Sequence, residues 1–581
     1  MKWPLSVALL LLAACGGSDP AGADADLLGE LAADSVLDVD GAADTRVDAG
    51  LEADLDAGPE TAPDFAGEPD PELDLEIQPE IAPDPGPEVQ PDAPVEAETA
   101  PDAVGDTLVD APDPGPDAPP DPCSLLPSLD ALGPPTNSPA WLGSLVALYD
   151  CGLLTRETLR DAFAAVPPPS TWPAAETVLL SANDSPWLLA ADLTIPAGQL
   201  LLLAPGARLR LGAGVRLKIL GRAIWLGSDD APLVIEGDGG DYDTVELRGG
   251  PHLVAHAEFS LGSALLTVGP TTADVTLEDL RFDVWLKNAV RLDKTAYTTL
   301  VRGEFGAETP PELQSGEAVY GNLSSILLSD SIFWPTGSGD DAVDLENCPP
   351  GLPVRIVGNV FLGGMDDAVD LDSCPALVDG NLIQRYQPPA GPIEGLNGGG
   401  ITGQNSSVAL VDNVIVECRH GVGFKDGSLV VLAHGTITGC GIGVALYKTS
   451  ADAKLPAMLA VNSLVYGNLD PDSGAPHDIE LDGAWTGSPG ALDPSLLDAR
   501  YCIFGEAWPG EQNLLTDPQW VFTDGIPLLQ AGSPAVGSGL PPDAASLSKA
   551  ALQALRLDFL GTSRTDADGA WLPVSRGAVE P

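Results

Sequence analysis

A short strand pattern returns every few dozen residues, and it limits the fold more than any other feature. Asp341-Ala342-Val343-Asp344-Leu345-Glu346 comes back 26 residues later as Asp367-Ala368-Val369-Asp370-Leu371-Asp372. The same pattern reads in Asn288–Asp293, Gly399–Gln404, His420–Lys425 and His477–Asp482. One such unit is too small to bury its own apolar side, so the units must stack. Stacking puts Val290, Val343, Val369, Ile401, Val422 and Ile479 in one inward column. Leu292, Leu345, Leu371, Phe424 and Leu481 form a second. The polar residues between them then point outward, because successive side chains of a strand alternate.

A second register runs through the turns. Asp330, Asn359, Asn381, Asn413, Gly435 and Asn462 are 29, 22, 32, 22 and 27 residues apart. Strands about 4.8 Å apart would let each amide bond its neighbour. Upstream, Ala207-Arg208-Leu209-Arg210-Leu211 and Val215-Arg216-Leu217-Lys218-Ile219 alternate apolar and cationic residues, with turns at Pro196-Ala197-Gly198 and Pro205-Gly206. These coils and the turn column resemble the asparagine ladder of pectate-lyase-like proteins. The segments Asn513–Pro518, Ser533–Val536, Asp558–Gly561 with Arg564, and Arg576–Glu580 look like the closing segment of bacterial surface β-helix repeat proteins. The resemblance implies an all-β fold, a single-stranded right-handed parallel β-helix over 169–581. It says little about function, because one fold hosts many activities.

The N-terminus reads as an address. Lys2 precedes the apolar run Leu5–Leu12, which is too short to span a bilayer. Leu12-Ala13-Ala14-Cys15-Gly16 resembles the lipobox of bacterial lipoproteins, which implies cleavage after residue 14 and a lipidated Cys15. Gly16 in place of Asp removes the best-known inner-membrane retention signal, so the outer membrane or cell surface is expected. Residues 16–122 hold 31 Asp/Glu and one base, Arg46, among Pro, Ala and Gly. Such a segment buries too little apolar area to order, and its like charges extend it. It reads as a disordered spacer that reaches at most about 300 Å.

Residues 123–168 read as a small helical cap packed on the end of the β-region. Trp141–Tyr149 and Arg156–Val166 have helical apolar spacing, with Thr155 as an N-cap. Outside the cytoplasm, Cys123–Cys151 is an expected disulfide. Cys348 with Cys374, and Cys418 with Cys440, fall at equivalent places in neighbouring coils and are the other candidate disulfides. The spacing makes each pair adjacent but leaves bonding open. Cys502 has no obvious partner.

The formal net charge of -60 argues against nucleic acid or anionic headgroups as partners. The expected partners are the membrane, through the lipid anchor, and a glycan. Asp340, Asp341, Asp344, Glu346, Asp366, Asp367, Asp370 and Asp372 place eight carboxylates in two neighbouring coils. Hard oxygen ligands at that density suit Ca²⁺. The plainer reading is a solvated acidic edge. An enzymatic reading uses Asp341, Asp367, His420 and Lys425, because Gly339-Asp340-Asp341 resembles the Gly-Asp-Asp element of polygalacturonases. The complete Gly-His-Gly and Arg-x-Lys elements of that family are missing. The leading expectation is therefore a surface-anchored protein that binds glycan or another extracellular surface, with Ca²⁺ as a candidate ion, and the alternative is a polysaccharide lyase or glycoside hydrolase acting on acidic polysaccharide. A catalytic site requires the candidate side chains to converge within about 5 Å of one point.

Overall fold

The computed structural model describes residues 122–167 and 178–580, apart from 272, 296, 308–315, 336–339, 388–397, 451, 483–491, 543–546 and 568. The signal segment with Cys15, the spacer to residue 121 and the expected junction at 168/169 lie outside the described residues. The described chain is an all-β parallel solenoid. Each coil sends strands to a 25-stranded sheet and one strand to a 12-stranded sheet. One coil shows the rule: Val354–Val357 and Val360–Phe361 join the larger sheet, and Val369–Asp372 joins the smaller. These segments are strands because β-branched and large apolar residues alternate with polar ones, which suits a half-buried pleated surface.

The coils stack in register. Val343 pairs with Val369, and Leu345 with Leu371. From Val290 onward the inward column is Val290, Val319, Val343, Val369, Ile401, Val422, Val444 and Ile479, and Leu193, Leu217, Val245 and Leu266 precede it. The sequence series thus skipped two coils, Val319–Asn322 and Ile442–Tyr447. A stack of phenylalanines, Phe259, Phe282, Phe305, Phe333 and Phe361, fills another column, with centroids 5.4, 5.0, 4.4 and 4.5 Å apart. Ile383, Ile415, Ile437 and Val465 continue it.

The turn column needs one correction. The corner between the two strands of the larger sheet holds one left-handed residue per coil. Asp330, Gly358, Gly380, Asp412, His434 and Asn462 fill it, with φ of 52°, 67°, 64°, 51°, 54° and 52°. The ladder lies one residue further on, at Ser331, Asn359, Asn381, Asn413, Gly435 and Ser463. Asp330 and Asn462 therefore belong to the corner, where Asp and Asn tolerate φ > 0. Within the ladder, Asn359 Nδ2 donates to Asn381 Oδ1 at 3.0 Å, and Asn381 Nδ2 to Asn413 Oδ1 at 2.9 Å. All three amides are buried. Their carbonyls also accept the preceding coil's main-chain N–H, so the buried turn is satisfied.

The helical region packs on the first coils of the solenoid. Its helices are Pro139–Asp150 and Arg156–Ala164, and Thr155 Oγ1 accepts from Thr158 N–H. Trp141, Leu142, Leu145, Leu159 and Phe163 pack on Leu179, Leu202, Ile224 and Leu253, one residue from each of four successive coils. The helices thus cover the side of the larger sheet over the first four coils, and Asn137 just before them pairs with the main chain of Leu179 in the first strand, at the end of the stack. Arg222 to Asp150 and Arg156 to Glu278 tie them down. The closing segment also doubles back. Ile526, Phe559, Ala578 and Val579 cover Val360, Leu382, Val414 and Val416. The helix Lys549–Ala554 and Leu555 cover Leu377, Ala409, Val411 and Ala433.

Disulfides join Cys123 to Cys151 and Cys348 to Cys374, with Cα separations of 5.6 and 4.6 Å. Cys418 and Cys440 are not bonded. They are buried free thiols, as is Cys502. Both face the packed interior as small apolar groups, and burial beside Cys418 drives the Cys440 thiol well above its usual pKa.

Candidate functional site on the 12-stranded sheet

With helices and the closing segment laid over the larger sheet, the outer face of the smaller sheet carries the concentrated polar chemistry. Its residues stand in columns set by the pairing. One column reads Arg291, Tyr320, Asp344, Asp370, Thr402, Gly423. The next outward column reads Asp293, Asn322, Glu346, Asp372, Gln404, Lys425. Asp344 thus lies on Asp370 and Glu346 on Asp372, as the sequence register requires.

The carboxylates converge. Oxygens of Asp341, Asp344 and Asp370 lie within 4.8 Å of one another, as do those of Asp341, Asp366 and Asp367. Asp341 is the member common to both groups. Its Oδ1 accepts from Asp367 N–H at 2.9 Å. Asp367 is buried, and its Oδ1 accepts from Gly399 N–H at 2.5 Å. A Cβ on Gly399 would stand 2.7 Å from that oxygen, so only glycine permits this approach. Thr402 Oγ1 lies 2.7 Å from Asp367 Oδ2 and 3.1 Å from Asp370 Oδ1. A hydroxyl has one proton to donate, so it cannot relieve both.

Proton affinities reflect this crowding. Burial, then the charges of Asp370 and Glu346, push Asp344 up to about 8. Burial and Asp370 raise Asp366 to about 6. Asp372 rises to about 6 by burial and Asp370, against the attraction of Lys425. Burial, then the charge of Asp367, raises Asp341, and burial, then the charges of Asp370 and Asp366, raises Asp367, while the bonds from Thr402 and Gly399 oppose the rise at Asp367. Exposed Asp340 hangs at the edge, where its Oδ2 accepts from Gly316 N–H at 2.8 Å. Glu346 is held by Asn322 Nδ2 at 3.0 Å and by the Tyr320 hydroxyl at 3.3 Å.

The fold is a parallel β-solenoid with two stacked sheets. Among solved structures, pectate lyase Pel9A is similar with a TM-score of 0.31 and 13% identity, over 66% of this chain and 88% of that one. A point mutant of the PL6 family alginate lyase AlyGC is similar with a TM-score of 0.20 and 10% identity, over 59% of this chain and 56% of that one. No family model and no curated protein matches the chain.

Of the four candidate catalytic residues, Asp341 and Asp367 meet and the other two stand apart. His420 is only 1% exposed and pairs with Gly399, one coil beyond Asp367. The β-helix buries it beneath the outer face, which removes it as a group that substrate touches. Lys425 is half-buried and two coils from Asp372, with Gln404 between. Two coil rises separate their backbones by about 10 Å. Glu317, Thr402, Gly399 and Tyr447 complete the surroundings of the acids. Thr402 and Gly399 were already in register with Asp370 and Asp367 in the repeat. Tyr447 sits in one of the skipped coils.

Proposed function

We propose that this chain is a surface-displayed β-helix that binds Ca²⁺ at the paired acidic coils and, through it, a glycan. The convergence of Asp341, Asp344, Asp366, Asp367 and Asp370 carries this reading. Carboxylates so close repel unless protons or a cation intervene. A cation with six to eight oxygen ligands matches such a set, and open coordination positions on an exposed sheet leave room for sugar oxygens. The lipobox-like segment ending at Cys15 and the acidic spacer give the display arrangement: a lipid anchor, a long stalk and a β-helix held off the membrane, at the outer membrane or cell surface. Nucleic acid does not fit so acidic a surface.

A second reading, polysaccharide lyase, draws support from one observation. The charge of Lys425 lowers the proton affinity of both Asp366 and Asp372, so a cation acts on the acids from two coils away. One experiment serves both readings. The chain is titrated with Ca²⁺ during thermal melting, then offered uronate polysaccharides with and without Ca²⁺ while the ultraviolet absorbance of an unsaturated product is followed. Ca²⁺-dependent stabilisation with glycan retention and no product supports the binder, and product formation supports the lyase. An unchanged melting temperature at millimolar Ca²⁺ rules out the metal site.

A further inference from the structure

Far from the acidic coils, three aromatic rings meet where the closing segment crosses the larger sheet. The antiparallel hairpin of Trp520–Thr523 and Ile526–Leu529 doubles back over the last coils. Trp520 and Leu529 are paired and pack with Leu464, Ile503 and Leu514. Residues two apart on a strand share a face, so Phe522 stands on the side of Trp520. Tyr466 joins the same cluster from the coil beneath. The Tyr466 and Trp520 centroids are 6.0 Å apart with ring planes at 77°, and those of Trp520 and Phe522 are 6.4 Å apart at 69°.

The hairpin is anchored on both sides of this corner. Ile526 and Leu529 are buried, and Gln384 Nε2 donates to the Gly525 carbonyl at 3.3 Å, which ties the turn to an earlier coil. Phe522 nevertheless stays 54% exposed, whereas every other phenylalanine of the described chain is buried. A ring left half in water gives up much of its burial free energy. Trp520 and Tyr466 beside it are only half-buried. The corner therefore presents aromatic faces from more than one direction.

The electrostatics select the ligand class. Aromatic faces carry negative charge density and attract cations, Trp most strongly. Burial, then the charges of Asp517 and Asp478, raises the proton affinity of the Tyr466 hydroxyl. Asp478 is buried, and its oxygens accept from Asn468 and Gly505. Asp517 is exposed, and its Oδ1 accepts from Gln519 N–H at 2.7 Å, which fixes it in the loop just ahead of Trp520. A net charge of -60 attracts cations to the whole surface. Steeply inclined rings offer no flat platform for a sugar ring, but they suit a rounded group. A quaternary ammonium is rounded, cationic and weakly hydrated, and its methyl groups add apolar contact.

We propose that the Tyr466–Trp520–Phe522 corner binds a quaternary ammonium group, with Asp517 as the supporting charge. The site stands apart from the acidic coils and does not depend on Ca²⁺.

The test uses the full chain at physiological salt, which screens charges more than about 8 Å apart. The probes are choline and the neutral alcohol in which carbon replaces its nitrogen, both followed by ligand-detected NMR. Choline is expected to bind with a Kd on the order of 1 mM, and the neutral isostere at least about tenfold more weakly. Phe522→Ala should weaken choline about fivefold, and Phe522→Tyr should restore it. Phe522→Ala keeps every charge, so a general attraction of cations to an acidic surface would survive it. An unchanged melting temperature verifies that the exposed ring was removed without unfolding. Asp517→Asn should weaken choline about threefold and leave the isostere unchanged. Equal affinity for choline and its isostere overturns the site. So does choline affinity that Phe522→Ala leaves intact, or no choline binding at all. A last arm finds the source of the group. Phe522-dependent retention on phosphatidylcholine over phosphatidylglycerol vesicles assigns a lipid headgroup, and choline binding without such retention assigns a soluble ligand; both uphold the site.

Discussion

The two sheets of this solenoid share one backbone repeat and differ in what their outer faces carry. The larger sheet turns Leu179, Leu202, Ile224 and Leu253 outward at one end, and Val360, Leu382 and Val414 further along. Helices and the returning C-terminal segment cover those residues. The smaller sheet turns Asp344, Asp370 and Glu346 outward, and no apolar cluster covers them among the described residues. A face of the first kind is stabilised by what lies on it. A face of the second kind is destabilised by its own charges.

This contrast predicts that removing one charge has opposite effects on the two faces. Arg564 is buried under the closing segment, where Nη1 donates to Asp412 at 2.7 Å and Nε to Glu580 at 2.9 Å. Arg564→Ala strands a buried Asp412 and should cost about 3–5 kcal/mol in denaturant melts. On the open face, Asp344→Asn removes repulsion and should stabilise the Ca²⁺-free chain. A loss of stability in Asp344→Asn breaks the comparison.

The second largest effect belongs to the ion. Free Ca²⁺ at a hundredfold over its Kd should add about 2.7 kcal/mol to unfolding. Asp370→Asn should abolish most of that gain, and Arg564→Ala should leave it intact. Calorimetric melts with Ca²⁺ and with chelator read both. A smaller effect tests the ladder between the faces. Asn381→Ala leaves the Asn359 N–H without its acceptor and removes one of the two acceptors of Asn359 Nδ2, at a cost of about 1–3 kcal/mol.

The pH dependence sharpens the comparison last. Asp344, Asp366 and Asp372 have folded-state values near 8, 6 and 6, all above those of the unfolded chain. The folded state therefore binds more protons across this range, and stability falls as pH rises. Without Ca²⁺ the chain should melt at a higher temperature near pH 5 than near pH 8. With Ca²⁺ the gradient should flatten or invert, because the ion competes with protons for the same oxygens. A Ca²⁺-free melting temperature that rises from pH 5 to pH 8 contradicts the crowding of these acids.

The stacking was legible wherever a coil kept its apolar spacing. Val343 on Val369, Asp344 on Asp370 and the Cys348–Cys374 neighbourhood follow from a fixed repeat. The coil at Val319–Asn322 escaped notice because Gly321 stands where its neighbours have Leu292 and Leu345. A Cβ there would meet Leu345 at 2.7 Å, so the large neighbour takes the room. The lateral covers did leave a trace. Leu200–Leu203 is a continuous apolar run with three buried residues, the mark of a strand covered on both sides.

By itself the sequence determined the fold class, the inward columns and the two acidic coils, because a regular repeat turns distance along the chain into contact between coils. Only the tertiary structure decided which face stays open, that Asp367 is buried against Gly399, that His420 lies beneath the surface and that Cys418 and Cys440 stay thiols. Those outcomes depend on where distant segments come to rest and on how far a side chain can reach between coils. A one-dimensional pattern specifies neither.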